Sequence, residues 1–130
     1  MAKPNIICVD DEREVLAALK KDLAEVSENY LVSDCETAAE AWELLEELHG
    51  EGQEISLIIC DHIMPGENGV EFLTRLYQDE RFRDVKKIML TGLATHQETI
   101  RAINEAHIDV YFEKPWDPEL LLEKVNMLIK

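Results

Sequence analysis

The stretch Ile55-Ser56-Leu57-Ile58-Ile59-Cys60 decides the fold, because it is apolar at positions that would face both sides of a strand. A strand with one wet face alternates apolar and polar residues; a strand covered on both faces does not, and that condition belongs to the centre of a parallel sheet flanked by helices. Four further runs of β type surround it, at residues 5–9, 30–35, 86–90 and 110–112. Each is followed by a segment of helical periodicity, and the five units differ too much in sequence to form a repeat array. This rhythm predicts an α/β fold, a (βα)5 doubly wound parallel sheet of five strands with helices on both faces.

The helices are legible at their starts. Thr37 with Glu40, and Thr95 with Glu98, have the spacing of capping boxes, and Asp11 with Glu14 has the same spacing. Asp117 offers a capping oxygen just before Pro118, a residue suited to the first helical position. Val15, Leu16, Leu19, Leu23 and Val26 form one apolar stripe, and Leu121, Leu122, Val125, Leu128 and Ile129 form another. Gly50-Glu51-Gly52 and Pro65-Gly66 mark turns.

Composition narrows the function. Leu, Ile, Val and Phe supply 38 of 130 residues, enough to build a core, so residues 1–130 read as one domain. Thirteen basic against 28 acidic residues leave a net charge of −15. A nucleic-acid duplex or an anionic membrane surface would be repelled, so neither is expected as a direct partner. Cys8, Cys35 and Cys60 form no Cys-x-x-Cys pair and sit in apolar sequence, which fits reduced core thiols and a cytoplasmic setting. Strand alternation turns Cys60 away from its neighbour Asp61 and into the core. His49, His62, His96 and His107 lack ligand spacing and read as surface residues, while Trp42 and Trp116 read as covers for the ends of the core.

In sheets of this type the working groups lie beyond the carboxyl ends of the strands. There the sequence places Asp10-Asp11-Glu12, Asp61, Thr91-Gly92 and Lys114-Pro115. Strands one and three are expected to be neighbours, which brings their terminal carboxylates together. Two carboxylates about 5 Å apart repel by roughly 3 kcal/mol at an effective dielectric near 20, so a cation is expected among them. An all-oxygen donor set suits Mg²⁺ or Mn²⁺. With Lys114 and Thr91 added, the group suits a phosphoryl transfer in which a carboxylate oxygen attacks in line.

Three rival readings fail on particular residues. A flavin-binding module needs a phosphate-cradling loop after the first strand, where this chain has three acidic residues. A phosphatase with an aspartyl nucleophile needs an acid two residues further on, where this chain has Ile63. A degenerate docking module would have lost Asp61 or Lys114, and both are present.

The features Asp10-Asp11, Asp61-His62-Ile63-Met64-Pro65-Gly66, Asn68-Gly69, Thr91-Gly92 and Tyr111 with Lys114-Pro115 stand in order along the chain. In that order and spacing the sequence resembles the receiver domains of bacterial two-component response regulators, over essentially its whole length. The resemblance implies a flavodoxin-like sheet of order 2-1-3-4-5 and a signalling switch, not a conventional enzyme. It implies that Asp61 accepts a phosphoryl group from a sensor histidine kinase or a phosphotransfer protein. Mg²⁺ would be bound by Asp10, Asp11, Asp61 and the backbone carbonyl of Ile63, and Lys114 would pair with the phosphoryl group. Thr91 would swing towards that group and Tyr111 would follow inward, altering the face made by the fourth helix, fifth strand and fifth helix. A cis peptide before Pro115 is also implied.

Residues 100–104 and Lys114-Pro115-Trp116-Asp117 are similar to receivers fused ahead of HD-type cyclic-dinucleotide phosphodiesterases or other output domains. Leu120 and Met127 fall off the core stripe of the last helix. With Arg101, Glu105 and Tyr111 they form the expected partner face. Ile63 and Leu93 stand where many relatives carry polar residues that place the hydrolytic water, so slow loss of the phosphoryl group is expected.

Overall fold

The computed structural model describes residues 3–92 and 96–130. Five parallel strands, β1 (Asn5–Val9), β2 (Leu31–Cys35), β3 (Ile55–Asp61), β4 (Lys86–Thr91) and β5 (Val110–Glu113), form one sheet in the order β2-β1-β3-β4-β5. Helices α1 (Arg13–Asp22), α2 (Ala38–Gly50), α3 (Gly69–Gln78), α4 (His96–Ala106) and α5 (Pro118–Ile129) connect and follow them. The doubly wound architecture is therefore as the alternation of strand and helix signals predicts.

Strand alternation divides the interior into two cores. Ile7, Val9, Ile58, Cys60 and Met89 pack with apolar residues of α2 and α3, while Ile6, Cys8, Leu57, Ile59, Ile88 and Leu90 pack with those of α1 and α5. The central strand thus feeds Ile58 and Cys60 into one core and Leu57 and Ile59 into the other, which is why it needs no polar face. Cys8, Cys35 and Cys60 are buried and free. Burial pushes the thiols of Cys8 and Cys35 up to about 12 and that of Cys60 well above its ordinary value, so none is a nucleophile. Trp42 is half-buried and meets Phe72 and Phe82 edge-on, and Trp116 is half-buried with its indole N–H donating to Asp22 Oδ2 at 2.8 Å.

The caps hold in part. Thr37 Oγ1 accepts from Glu40 N at 3.0 Å, and Asp117 Oδ1 accepts from Glu119 N at 2.9 Å with Pro118 in the first turn. The cap assigned to Asp11 does not form: Glu12 is the N-cap of α1 and has no side-chain cap, and Asp10 Oδ1 accepts from Glu12 N at 2.8 Å. Asp11 is left exposed beside the other acidic groups. Thr95 and Leu93 lie outside the described residues. The stripe of α1 outlasts its helix: Leu23 is the C-cap and Val26 opens a short 3₁₀ turn, yet both remain buried. Among the described residues, Asn68 forms a complete capping box with Glu71 at the start of α3. Its Asn-x-x-Glu spacing was present in the sequence.

Candidate functional site

Three strands deliver their side chains to one place because they run parallel and end at the same edge. Asp10 follows β1 and is fully buried, its backbone N–H donating to Cys35 O at 3.0 Å. Asp61 is the last residue of β3 and is 4% exposed. Lys114 follows β5, with its backbone N–H donating to Thr91 O at 2.8 Å across to the end of β4, and the Lys114–Pro115 peptide is cis. The Lys114 ammonium lies between the two carboxylates, 2.9 Å from Asp61 Oδ1 and 3.0 Å from Asp10 Oδ2. Carboxylate oxygens of Asp10, Asp11 and Asp61 all lie within 4.8 Å of one another.

The electrostatics of this cluster are unbalanced. Burial pushes the Asp61 carboxyl up to about 6, with Asp10 and Asp11 adding to the rise and Lys114 opposing it. Burial pulls on the Lys114 ammonium in the downward direction, but its bonds to Asp61 and Asp10 outweigh that and raise it. When all are ionised, three carboxylates face one ammonium, leaving two negative charges over. Oxygen donors with that excess fit a small divalent cation of the Mg²⁺ or Mn²⁺ type.

The remaining residues of interest surround this cluster. Thr91 closes β4 and is 1% exposed, its Oγ1 3.2 Å from His62 Nδ1. His62 is a correction to the sequence reading: it is 4% exposed, not a surface residue. A lone histidine carries no sequence signal for burial, since its neighbours across the sheet decide it. His49 and His107 are exposed, His107 stacking on Tyr77. The Ile63 side chain is 57% exposed beside the acidic edge, and Met64 turns back into the core. Gly66, with φ +81, makes the turn before α3.

Tyr111 is half-buried against the core on the α2–α3 side. Arg101 and Glu105 of α4 are exposed and bonded to each other at 3.0 Å, and Leu120 and Met127 of α5 are exposed. Two further exposed apolar residues, Ile100 and Ile103, enlarge the apolar surface of α4. Their i, i+3 spacing was readable in the sequence.

A cluster of carboxylates and one lysine at the carboxyl edge of an order 2-1-3-4-5 sheet defines the class of phosphorylation-dependent signalling switches. The chain belongs to the response regulator receiver domain family, whose model matches residues 6–126. It is 34% identical over 125 residues to the hydrogenase transcriptional regulatory protein HoxA of Cupriavidus necator, covering 96% of this chain and 24% of that protein. The chain thus spans about a quarter of that relative's length. It is 27% identical to the chemotaxis protein CheY1 of Helicobacter pylori, over 95% of each chain. Among solved structures, the signal receiver domain of an HD domain-containing protein from Pseudomonas fluorescens Pf-5 superposes with a TM-score of 0.84 and 28% identity, covering 98% of this chain and 94% of that one. No helix among the described residues is long and apolar enough to cross a membrane.

Proposed function

We propose that Asp61 is the phosphoacceptor of a two-component pathway, taking its phosphoryl group from the phosphohistidine of a sensor histidine kinase or a phosphotransfer protein. One Asp61 carboxylate oxygen attacks phosphorus, the phosphorus–nitrogen bond breaks, and the imidazole leaves with the electron pair. Asp10, Asp11, Asp61 and the Ile63 carbonyl would hold Mg²⁺ or Mn²⁺, which supplies charge neutralisation for the phosphoryl oxygens. Lys114 moves from pairing two carboxylates to pairing the phosphoryl group, and the Thr91 hydroxyl donates to a phosphoryl oxygen. The observation that carries this reading is the Lys114 ammonium within 3.0 Å of both Asp10 and Asp61, with Asp11 alongside.

Phosphorylation replaces one charge by about −1.5 to −2, and the change is read on α4, β5 and α5 through Thr91 and Tyr111. Ile100, Ile103, Leu120 and Met127, exposed on α4 and α5, with Arg101, Glu105 and Tyr111, form the surface that an output domain or separate partner contacts. The names of the relatives support either a transcriptional or an HD-type output. The net charge of −15 favours a protein partner over direct binding to nucleic acid or membrane.

Incubation with acetyl phosphate and Mg²⁺, followed by intact-mass and peptide mapping, tests the assignment. One acid-stable, base-labile phosphoryl adduct on Asp61 is expected, absent in Asp61→Asn. An adduct mapped to another residue, undiminished in Asp61→Asn, refutes it.

A further inference from the structure

The residue after the acceptor has no role in the chemistry above, yet it is buried and its backbone is bonded on both sides. The His62 N–H donates to Leu90 O at 2.9 Å, and its carbonyl accepts from Gly69 N at 2.7 Å. The backbone is therefore clamped between β4 and the start of α3. Its Nδ1 lies 3.2 Å from the hydroxyl of Thr91, and both residues are buried, at 4% and 1% exposure.

Under the reading that Asp61 is the acceptor, Thr91 must donate its hydroxyl proton to a phosphoryl oxygen. A threonine hydroxyl has one proton and can donate it once. We propose that His62 is a positioning residue that latches Thr91 in the unphosphorylated arrangement, with the Thr91 O–H donating to His62 Nδ1. Phosphorylation then has to exchange one acceptor for another. His62 lines a cleft of about 190 Å³ together with Asn68, Val70, Glu71 and Arg101, which gives the imidazole room once Thr91 leaves it. The imidazole released by Thr91 borders polar side chains there instead of a closed apolar wall. The cleft also reaches Arg101 on α4, the helix that carries the partner face.

The latch sets how much of the phosphoryl group's interaction energy is used in releasing Thr91, and so sets the threshold of the switch. A net hydrogen bond of about 1 kcal/mol corresponds to roughly five-fold in an equilibrium constant. The test uses this chain with Mg²⁺ and beryllofluoride as the phosphoryl mimic, in wild type, His62→Phe and His62→Asn. Phenylalanine keeps the ring shape but offers no acceptor, and asparagine puts Oδ1 where Nδ1 stood.

His62→Phe is expected to bind beryllofluoride about five-fold tighter, and His62→Asn to stay within two-fold of wild type. In the protein without beryllofluoride, three-bond couplings to the Thr91 methyl should report one χ1 rotamer in wild type and in His62→Asn, and a changed rotamer distribution in His62→Phe. That rotamer measurement on wild type also stands if the phenylalanine variant does not fold: averaging in wild type overturns the latch. Equal affinity in all three proteins, weaker binding in His62→Phe, or an asparagine variant that behaves like phenylalanine overturns the latch alone. Wild type that takes up no beryllofluoride overturns the acceptor assignment, and the latch falls with it.

Discussion

Gly69 is the position where a single methyl group should do most damage near the site. A Cβ built there would lie 2.1 Å from the carbonyl oxygen of Asp61, 3.0 Å from its carbon and 3.1 Å from the Cα of His62. All three are backbone atoms of the segment that carries the acceptor, so no side chain can rotate out of the way. The first residue of α3 and the end of β3 must separate by about 1 Å, which costs roughly 1–3 kcal/mol as overpacking. The Gly69 N–H to His62 O bond, 2.7 Å long, stretches with it and loses about 1 kcal/mol. Alanine's better helix propensity returns at most about 1 kcal/mol, leaving Gly69→Ala destabilised by about 2 kcal/mol.

With an unfolding entropy of about 2.1 cal/mol/K per residue, that is a fall of about 7 °C in Tm. Gly50, at the end of α2, is the control, because a Cβ there meets nothing within 4 Å. Thermal unfolding followed by circular dichroism compares the two variants, and a Mg²⁺ titration of each reports whether the acidic edge has moved. Gly50→Ala should melt within about 2 °C of wild type. A Gly69→Ala protein that melts with wild type and binds Mg²⁺ as well would show that α3 does not bear on the Asp61 peptide, and the steric reasoning would be wrong.

Further outcomes follow from the same geometry. Mg²⁺ should stabilise the fold by about 1.4 kcal/mol at ten times its Kd and so raise Tm, and differential scanning calorimetry should find most of this gain missing in Asp11→Asn. Because burial raises the folded Asp61 carboxyl to about 6 from its ordinary 3.8, its favourable contribution is complete below pH 3.8 and is lost as pH rises through about 6. Asp61→Asn should accordingly melt above wild type at neutral pH, with the gap closing in acid; a gap independent of pH would contradict the shift. Lys114→Ala should still accept label from acetyl phosphate, while amide exchange on α4 and α5 no longer responds to it. Ile63→Asn, a polar residue at an exposed position beside the site, should shorten the lifetime of the acyl phosphate, measured by loss of the mass adduct after the donor is removed.

The sequence alone determined the order and kind of the elements and the residue types at the strand ends. That information is local: apolar residues on both faces of 55–60, the caps at Thr37 and Asp117 and the two helical stripes each report an environment within a few residues of themselves. The strand order came from family resemblance, because periodicity says that a residue faces a core without saying which strand lies beside it. Only the tertiary structure decided that Lys114 meets Asp10 across 104 positions of chain, that Asp11 joins the acidic cluster without capping α1, and that His62 is buried against Thr91. It alone showed why residue 69 has no side chain, since the obstacle is a peptide at the end of another element. These facts depend on which distant groups arrive at one edge of the sheet, and a polar residue's burial or partner is set by those arrivals, not by its own sequence neighbours.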